Sequence, residues 1–368
     1  MIMASRISQD RRYMVLALSL GRRGLGRTWP NPAVGAVIVK DGAIVGRGWT
    51  QDGGRPHAEV EALRRAGAAA SGATLYVTLE PCSHHGKTPP CADAVIAAGI
   101  ARVVSALEDP NPEVAGQGHA RLRAAGIAVD VGIGAEQARR DHAGHIDRFT
   151  KGRPHVLLKL AISADGKAAA AGRRPVAITG EPARERVHLL RAQSDAIMVG
   201  IGTVLADDPM LTCRLPGMEK YSPVRVVMDS RLRLPLASRL VRSARDIPVW
   251  VVTGMAAPQE AERALCAHGI DVLRLPGNSD RLDLGEAVKT LAGKGITRLM
   301  VEGGPTLAAA FIGVDQVDEA DLFYSATVVG CDGIDALDSA ARAMLLERLK
   351  LLTSTAAGAD REDRYARR

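Results

Sequence analysis

Short apolar runs rich in Val, Ile and Leu recur along the chain, separated by segments whose apolar residues are spaced for a helix. In the first half the pattern predicts an opening helix around the apolar stretch Met14–Leu20. A strand Ala33–Lys40, an Asp41-Gly42 turn and a strand Ala43–Trp49 follow. Asp-Gly between two strand-like runs is a hairpin signal. A helix is predicted over His57–Ala66, with Pro56 where a helix start tolerates it. A buried strand Thr74–Leu79 then runs straight into Glu80-Pro81-Cys82, and Pro89-Pro90 introduces a helix Cys91–Ala98 closed by Gly99. Strand, helix and strand follow over Val103–Leu107, His119–Ala125 and Ile127–Val131. The expected architecture is a sheet flanked by helices.

Phe149-Thr150-Lys151-Gly152-Arg153-Pro154 reads as a short polar connection, and beyond it the pattern restarts. A strand His155–Ile162 leads to a turn at Asp165-Gly166, a helix Glu181–Gln193 and a buried strand Asp195–Gly200. Further strands are predicted at Val224–Asp229, Pro248–Val252, Val272–Leu275, Arg298–Glu302 and Leu322–Val328. This half is again α/β, with no internal repeat relating it to the first. The domains expected are 1–147 and 154–368, and 368 residues are enough for two ordinary cores.

Composition narrows the function. Net charge is modest, +7 from 48 basic and 41 acidic residues, and suits a solvated surface tolerant of anionic metabolites. Aromatic residues make up 3%, too few for a base-stacking platform on single-stranded nucleic acid. The apolar stretch near the N-terminus is too short to span a bilayer and shows no cleavage site. Five scattered cysteines, an odd number, fit metal or chemical roles in the cytoplasm better than disulfides. The sequence leaves oligomeric state open, a homodimer included.

The chemistry concentrates in Pro56-His57-Ala58-Glu59, Pro81-Cys82 and Cys91. A catalytic zinc takes three protein ligands and keeps its fourth position for water, whose pKa it lowers to about 7. Base deaminases carry H-x-E followed by P-C-x-x-C, with the glutamate moving protons rather than binding metal. Here residues 83–90 separate the two cysteines, a much longer insert. His57 and Glu59 are expected in the first turn of one helix and Cys91 at the start of another, where the positive helix end favours thiolate. A closed structural zinc needs a fourth ligand, and His84, His85 and Cys213 have no convincing spacing for it.

In the second half no G-x-G-x-x-G occurs, so an ordinary dinucleotide fold is not indicated. Gly200-Ile201-Gly202-Thr203 and Gly303-Gly304-Pro305-Thr306-Leu307 each put glycines between a strand and a helix. Either could be a plain turn or a phosphate cradle.

Thr28-Trp29-Pro30-Asn31-Pro32-Ala33-Val34-Gly35, His57-Ala58-Glu59-Val60 and the run from Glu80 to Cys91 resemble the deaminase half of the bifunctional riboflavin-biosynthesis deaminase-reductases. The Ser-His-His-Gly and Thr-Pro-Pro between the cysteines set that family apart from cytidine and tRNA-adenosine deaminases. The resemblance implies a cytidine-deaminase-like α/β/α domain with zinc on His57, Cys82 and Cys91, Glu59 as proton shuttle, and Asn31 and Lys87 on substrate. Lys159–Lys167, Leu190–Ile197, Thr203–Arg214 and Val301–Thr306 resemble the reductase half, which implies a dihydrofolate-reductase-like α/β domain using NADPH. Carried over by motif, Ala161, Thr203, Asp207, Ser230 and the run Gly304, Pro305, Thr306, Leu307, Ala308, Ala309 and Ala310 would line the cofactor. Lys159, Arg191, Leu211, Arg214 and Glu302 would line the substrate.

The function implied is deamination of 2,5-diamino-6-ribosylamino-4(3H)-pyrimidinone 5′-phosphate, then reduction of its ribosyl group to ribityl. A small phosphorylated pyrimidine would be the partner, with no nucleic acid and no membrane. The alternatives are a nucleic-acid editing deaminase with an appended binding domain, and a non-enzymatic zinc module. Four places depart from the family pattern: Thr50 and Glu61 where a histidine is common, and Pro175 and Ala177 where serine and tryptophan are common. Arg231 or Arg233, after Ser230, could hold a 2′-phosphate. Beyond about residue 330 no signature is recognisable.

Overall fold

Most apolar runs become strands of two separate sheets. The structure, a computed structural model, describes residues 2–86, 88–277 and 281–368. It divides into two units, Met1–Gly152 and Arg153–Arg368.

The first unit runs α1 (Ile2–Gly21), β1 (Gly35–Lys40), β2 (Ala43–Trp49), α2 (Ala58–Ala66), β3 (Thr74–Val77), α3 (Cys91–Ala97) and β4 (Arg102–Ser105). It closes with α4 (Gln117–Ala124), β5 (Ala128–Val131), α5 (Ala135–Asp141) and α6 (Ala143–Thr150). The sheet order is β2-β1-β3-β4-β5. β1 is antiparallel to β2 and β3, while β3, β4 and β5 are parallel. The hairpin turn has positive φ at both Asp41 (49°) and Gly42 (79°), as a type I′ two-residue loop requires.

Small residues decide how closely helices approach this sheet. A Cβ on Gly48 would lie 2.4 Å from the Ala58 carbonyl oxygen, and one on Gly35 would lie 1.9 Å from that of Ala17. So α2 lies directly on β2, with Ala58, Ala62 and Ala66 buried against it, and α1 lies directly on β1. The start of α2 is thereby fixed against the sheet. Asp10 on α1 adds a polar clamp, accepting from Tyr76 Oη at 2.7 Å and from both Arg102 terminal nitrogens at 2.8 Å.

The second unit runs β6 (His155–Ile162), β7 (Lys167–Ala169), α7 (Glu181–Ala192), β8 (Ala196–Gly200), α8 (Ile201–Asp207), β9 (Val224–Met228), α9 (Arg239–Arg242) and β10 (Val249–Gly254). It continues with α10 (Gln259–Ala267), β11 (Asp271–Leu275), α11 (Leu284–Gly293), β12 (Arg298–Val301), α12 (Pro305–Gly313) and β13 (Glu319–Tyr324). Last come β14 (Ile334–Asp335), α13 (Ser339–Arg348), β15 (Leu349–Ala357) and β16 (Asp360–Arg367). Nine strands form one sheet in the order β11-β10-β9-β8-β12-β6-β13-β16-β15, while β7 and β14 pair separately. The first seven strands of that order are parallel, and β16 and β15 are antiparallel. From β6 the chain moves outward through β8 to β11, then returns to place β12 between β8 and β6. Clefts of open α/β sheets form at the carboxyl ends of strands beside such a reversal.

The strand predicted at Leu322–Val328 is β13, displaced toward the N-terminus. It begins at Glu319 because the charged residues of its first half are paired within the sheet. Arg364 of β16 donates to both carboxylate oxygens of Asp321, at 2.9 and 3.1 Å.

Candidate active site

His57 is the residue immediately before α2 rather than part of its first turn, with extended backbone (φ −70°, ψ 160°). That backbone turns its Nδ1 toward two sulfurs: Cys82 Sγ at 3.6 Å and Cys91 Sγ at 3.3 Å. Cys82 lies in the segment after β3 and Cys91 opens α3. The Cys91 backbone N–H donates to Cys82 Sγ (3.3 Å) and the Ala92 N–H to the Cys82 carbonyl (3.1 Å). The start of α3 therefore points its donors at the first cysteine. The Cys91 thiol above all, then the His57 imidazole and the Cys91 N–H, push Cys82 down to about 4 against its burial, while the same pairing and burial push Cys91 up.

The three ligand atoms lie within 4.8 Å of one another, and among the described residues this grouping has three members. A tetrahedral zinc with bonds of about 2.0–2.3 Å spaces its ligands about 3.3–3.8 Å apart. The two nitrogen–sulfur separations fall in that range, and one imidazole with two thiolates is a zinc donor set. The residues fit the metal.

Glu59 sits in the first turn of α2, buried beside this cluster. Burial, with the nearby Cys82 charge, pushes its carboxyl up to about 7, partly offset by His57. A cavity opens here, lined by His57, Glu59, Cys82, Asn31 and Thr50 among others. Asn31 Nδ2 donates to the Gly54 carbonyl at 2.9 Å, which fixes the amide's orientation. Thr50 Oγ1 accepts from Val34 N–H at 3.1 Å, so the residue at this departure from the family pattern ties β1 to the end of β2. Lys87 lies outside the described residues.

The same cavity holds groups that the sequence did not single out. Asp109 Oδ1 pairs with His145 Nε2 at 2.9 Å, both buried, and His145 meets Phe149 edge-on at 4.9 Å between centroids. Glu80 anchors this wall, accepting from the backbone N–H groups of Asp109, Gly116 and His119 at 3.0–3.1 Å. Asp109-Pro110-Asn111-Pro112, separated from the end of β4 by residues 106–108, was the available signal. His145 and Phe149 lie on α6, which the hydropathy pattern did not predict.

In the second unit the carboxyl ends of β6, β8 and β12 frame three adjoining clefts. Glu302, just past β12, accepts from Lys159 Nζ (3.2 Å) and, through both oxygens, from Arg191 Nε and Nη2 (2.9 and 3.0 Å). Burial opposes ionisation of Glu302, but Lys159 and Arg191 outweigh it and hold its pKa at about 2. Arg191 Nη1 also donates to the Thr212 carbonyl at 3.0 Å. Leu211, just before it, has left-handed backbone (φ 56°). Arg214 joins Lys159, Arg191 and Glu302 in one cleft, its pKa lowered by burial and by Arg191.

A second cleft carries Lys159, Ala161, Arg191, Leu211 and Glu302 together with Thr203, Asp207, Gly304, Pro305 and Thr306. A third carries Ser230, Leu307 and Ala310. Ala308 and Ala309 line none of the three. The turn of α12 that aims Thr306, Leu307 and Ala310 at the cleft carries Ala308 into the interior, where it is fully buried. Arg231 and Arg233 also lie outside the clefts; the arginines that share the third cleft with Ser230 are Arg173 and Arg281.

The glycines are resolved by their surroundings. A Cβ on Gly303 would meet Leu307 at 2.7 Å, so that glycine serves packing. One on Gly304 would meet only Thr203 Oγ1, at 3.9 Å, and Gly200 faces open space. These two leave room for a ligand at the starts of α8 and α12, which fits a phosphate-bearing dinucleotide.

The comparisons agree with this division of labour. Residues 7–107 match the cytidine and deoxycytidylate deaminase zinc-binding region, and residues 154–360 match the RibD C-terminal domain. Riboflavin biosynthesis protein RibD of Escherichia coli (strain K12) is 45% identical over 335 residues, covering 88% of this chain and 89% of that protein. The chain belongs to the RibD family. A solved RibD structure from Acinetobacter baumannii superposes with a TM-score of 0.88 at 37% identity, covering 98% of this chain and 99% of that one. A Thermotoga maritima structure, described as a diaminohydroxyphosphoribosylaminopyrimidine deaminase/5-amino-6-(5-phosphoribosylamino)uracil reductase, gives 0.85 at 34% identity, covering 99% and 100%. As a RibD family member the chain is a two-activity enzyme of riboflavin biosynthesis, a zinc deaminase joined to an NADPH-dependent reductase. Among the described residues no helix is long and apolar enough to cross a membrane.

Proposed function

We propose that the first unit deaminates 2,5-diamino-6-ribosylamino-4(3H)-pyrimidinone 5′-phosphate at C2 and that the second reduces the ribosyl group of the product to ribityl. The observation that carries the first step is His57 Nδ1 facing two sulfurs at 3.3 and 3.6 Å with Glu59 buried beside them. Zinc on His57, Cys82 and Cys91 supplies a water acidic enough to ionise near neutral pH. Glu59 would take a proton from that water and pass it to the departing amine, and burial, which pushes its carboxyl up, favours holding the proton in between. Asn31, its Nδ2 already committed to Gly54, presents its carbonyl oxygen to the base, and Lys87 meets the phosphate.

In the second unit NADPH supplies the hydride. Thr203, Asp207, Ser230, Gly304, Pro305, Thr306, Leu307 and Ala310 line its path, with Ala161 where that path meets the substrate. Glu302 holds Lys159 and Arg191 at fixed positions facing the substrate, so the chain contributes orientation rather than a strong acid. Arg191 and Arg214 suit the substrate phosphate, and Leu211 lines the same part of the site.

We place the enzyme in the cytoplasm, where its five free cysteines stay reduced, acting as a monomer or homodimer on a small molecule and without nucleic acid. The test is a coupled assay on the purified chain. Stoichiometric zinc, ammonia release from the diaminopyrimidinone and subsequent NADPH oxidation are expected. Ammonia release without NADPH oxidation would remove the second half of the proposal. Tight, salt-sensitive binding of single-stranded RNA would favour an editing deaminase instead.

A further inference from the structure

The cofactor clefts of the second unit meet at a waist. Five residues line both of them: Arg173, Gly202, Thr203, Gly304 and Thr306. On one side lie Lys159 and Glu302, on the other Ser230 and the apolar Met228, Leu282 and Leu307. Two hydroxyls, two glycines and one cation at the join of two chambers make a setting for an anion that links two larger groups. Arg173 Nη1 stands over the first turn of α8, 3.9 Å from where a Cβ on Gly202 would be. Its side chain makes no hydrogen bond or ion pair with any described residue.

The backbone adds a second, independent sign. Ala170 N–H donates to the Arg174 carbonyl at 3.0 Å, closing a tight turn with Gly172 at φ 69° and Arg173 at φ 64°. Left-handed backbone favours glycine, and a long side chain held there is an uncommon arrangement found at ligand clamps. The neighbouring Arg174 differs: its Nε donates to the Ala171 carbonyl at 3.3 Å and it lines none of the clefts.

We infer that Arg173 is the residue that grips the diphosphate of the dinucleotide at this waist. Guanidinium meets phosphate oxygens with paired donors, and the glycines leave the phosphate room to approach Thr203 and Thr306. The inference rests on the reading of the second unit as an NADPH-binding reductase. It assigns to this chain a contact made by a turn outside the motifs that carry the family resemblance.

The test is fluorescence titration of the full chain with NADPH and with NADH, for wild type, R173Q, R173G and R174Q, with a melting temperature for each. Both nucleotides carry the diphosphate, so R173Q and R173G should weaken both about tenfold or more and leave their ratio unchanged. R174Q, which removes the same charge from the same turn, should leave both affinities near wild type. R173G should melt no lower than wild type, because glycine suits the left-handed position. A loss confined to NADPH would place Arg173 on the 2′-phosphate and overturn the assignment. Equal losses in R173Q and R174Q, or none in R173Q, would also overturn it. If wild type bound neither nucleotide, the reductase reading itself would fall.

Discussion

The two units build their sites in opposite ways. The candidate metal cluster is compact and local: His57, Cys82, Cys91 and Glu59 come from two helix starts and one adjacent segment within residues 57–91, and glycine–alanine contact seats the first of those helices against the sheet. The reductase cleft is dispersed. Its central ion triad joins Lys159 of β6, Arg191 of α7 and Glu302 after β12, residues 143 and 111 positions apart. A metal site needs donors within a few ångströms of one point, and short motifs deliver that. A cleft for an extended cofactor and a sugar phosphate needs surfaces from several strand ends, and only the sheet topology brings those together. The first site should therefore fail as a unit and the second by degrees.

The largest expected effect separates the two completely. Stripping the metal with a chelator should abolish ammonia release while leaving NADPH oxidation with the deaminated intermediate near its starting rate. Parallel loss of both activities would show that the units are not energetically separate. Next in size is E59Q, which should cut deamination by about 10²–10⁴-fold with zinc content unchanged. Retained deamination in a zinc-loaded E59Q protein would remove Glu59 from the proton path.

E302Q probes the dispersed site. It leaves Lys159 and Arg191, both mostly shielded from water, with one neutral partner, and losing a partly buried pair of this kind costs about 1–3 kcal/mol. The pH dependence should change with it. The pKa of Glu302 falls from 4.5 to about 2 on folding, so its stabilisation is fully present above pH 4.5 and lost as pH falls through 2. Urea melts of wild type should show that acid limb, and E302Q should flatten it. An unchanged limb would assign the acid sensitivity to other carboxylates, such as Glu319, held at about 2 against the opposing effect of its own burial mainly by His155.

The uneven legibility of the sequence follows from the same contrast. The hairpin, α2, α3 and most parallel strands were readable because apolar runs and turn residues mark them, and the grouping of His57, Cys82 and Cys91 because its motif is local. The C-terminal hairpin β15–β16 was not readable. Asp360-Arg361-Glu362-Asp363-Arg364 carries no apolar alternation, yet Asp360, Glu362 and Asp363 are buried. They are held by Arg186 on Glu362, Ser354 and Arg361 on Asp363, and the Gly180 N–H on Asp360. A strand stabilised by long-range ion pairs leaves no hydropathy signal. Arg173 and Asp109 were missed for a related reason: each sits on a loop whose neighbours come from elsewhere in the chain.

The smallest effects test how far a motif can be carried residue by residue. Ala308 and Ala309 belong to a run that the resemblance assigned to the cofactor, but α12 turns Ala308 into the interior and leaves Ala309 off the cleft. A308L should force a larger side chain into a filled space and cost about 1–3 kcal/mol of stability, read from denaturant melts. A309Q, at a half-buried position, should change stability by no more than about 0.5 kcal/mol. Neither variant should alter NADPH affinity beyond what unfolding accounts for. A309Q is the sharper probe because its fold should be intact: a tenfold weaker affinity there would mean that the bound cofactor reaches past Leu307 onto the next face of the helix. An unchanged affinity would confine the contact to Gly304–Leu307 and Ala310, the residues whose side chains or open glycine positions face the cleft.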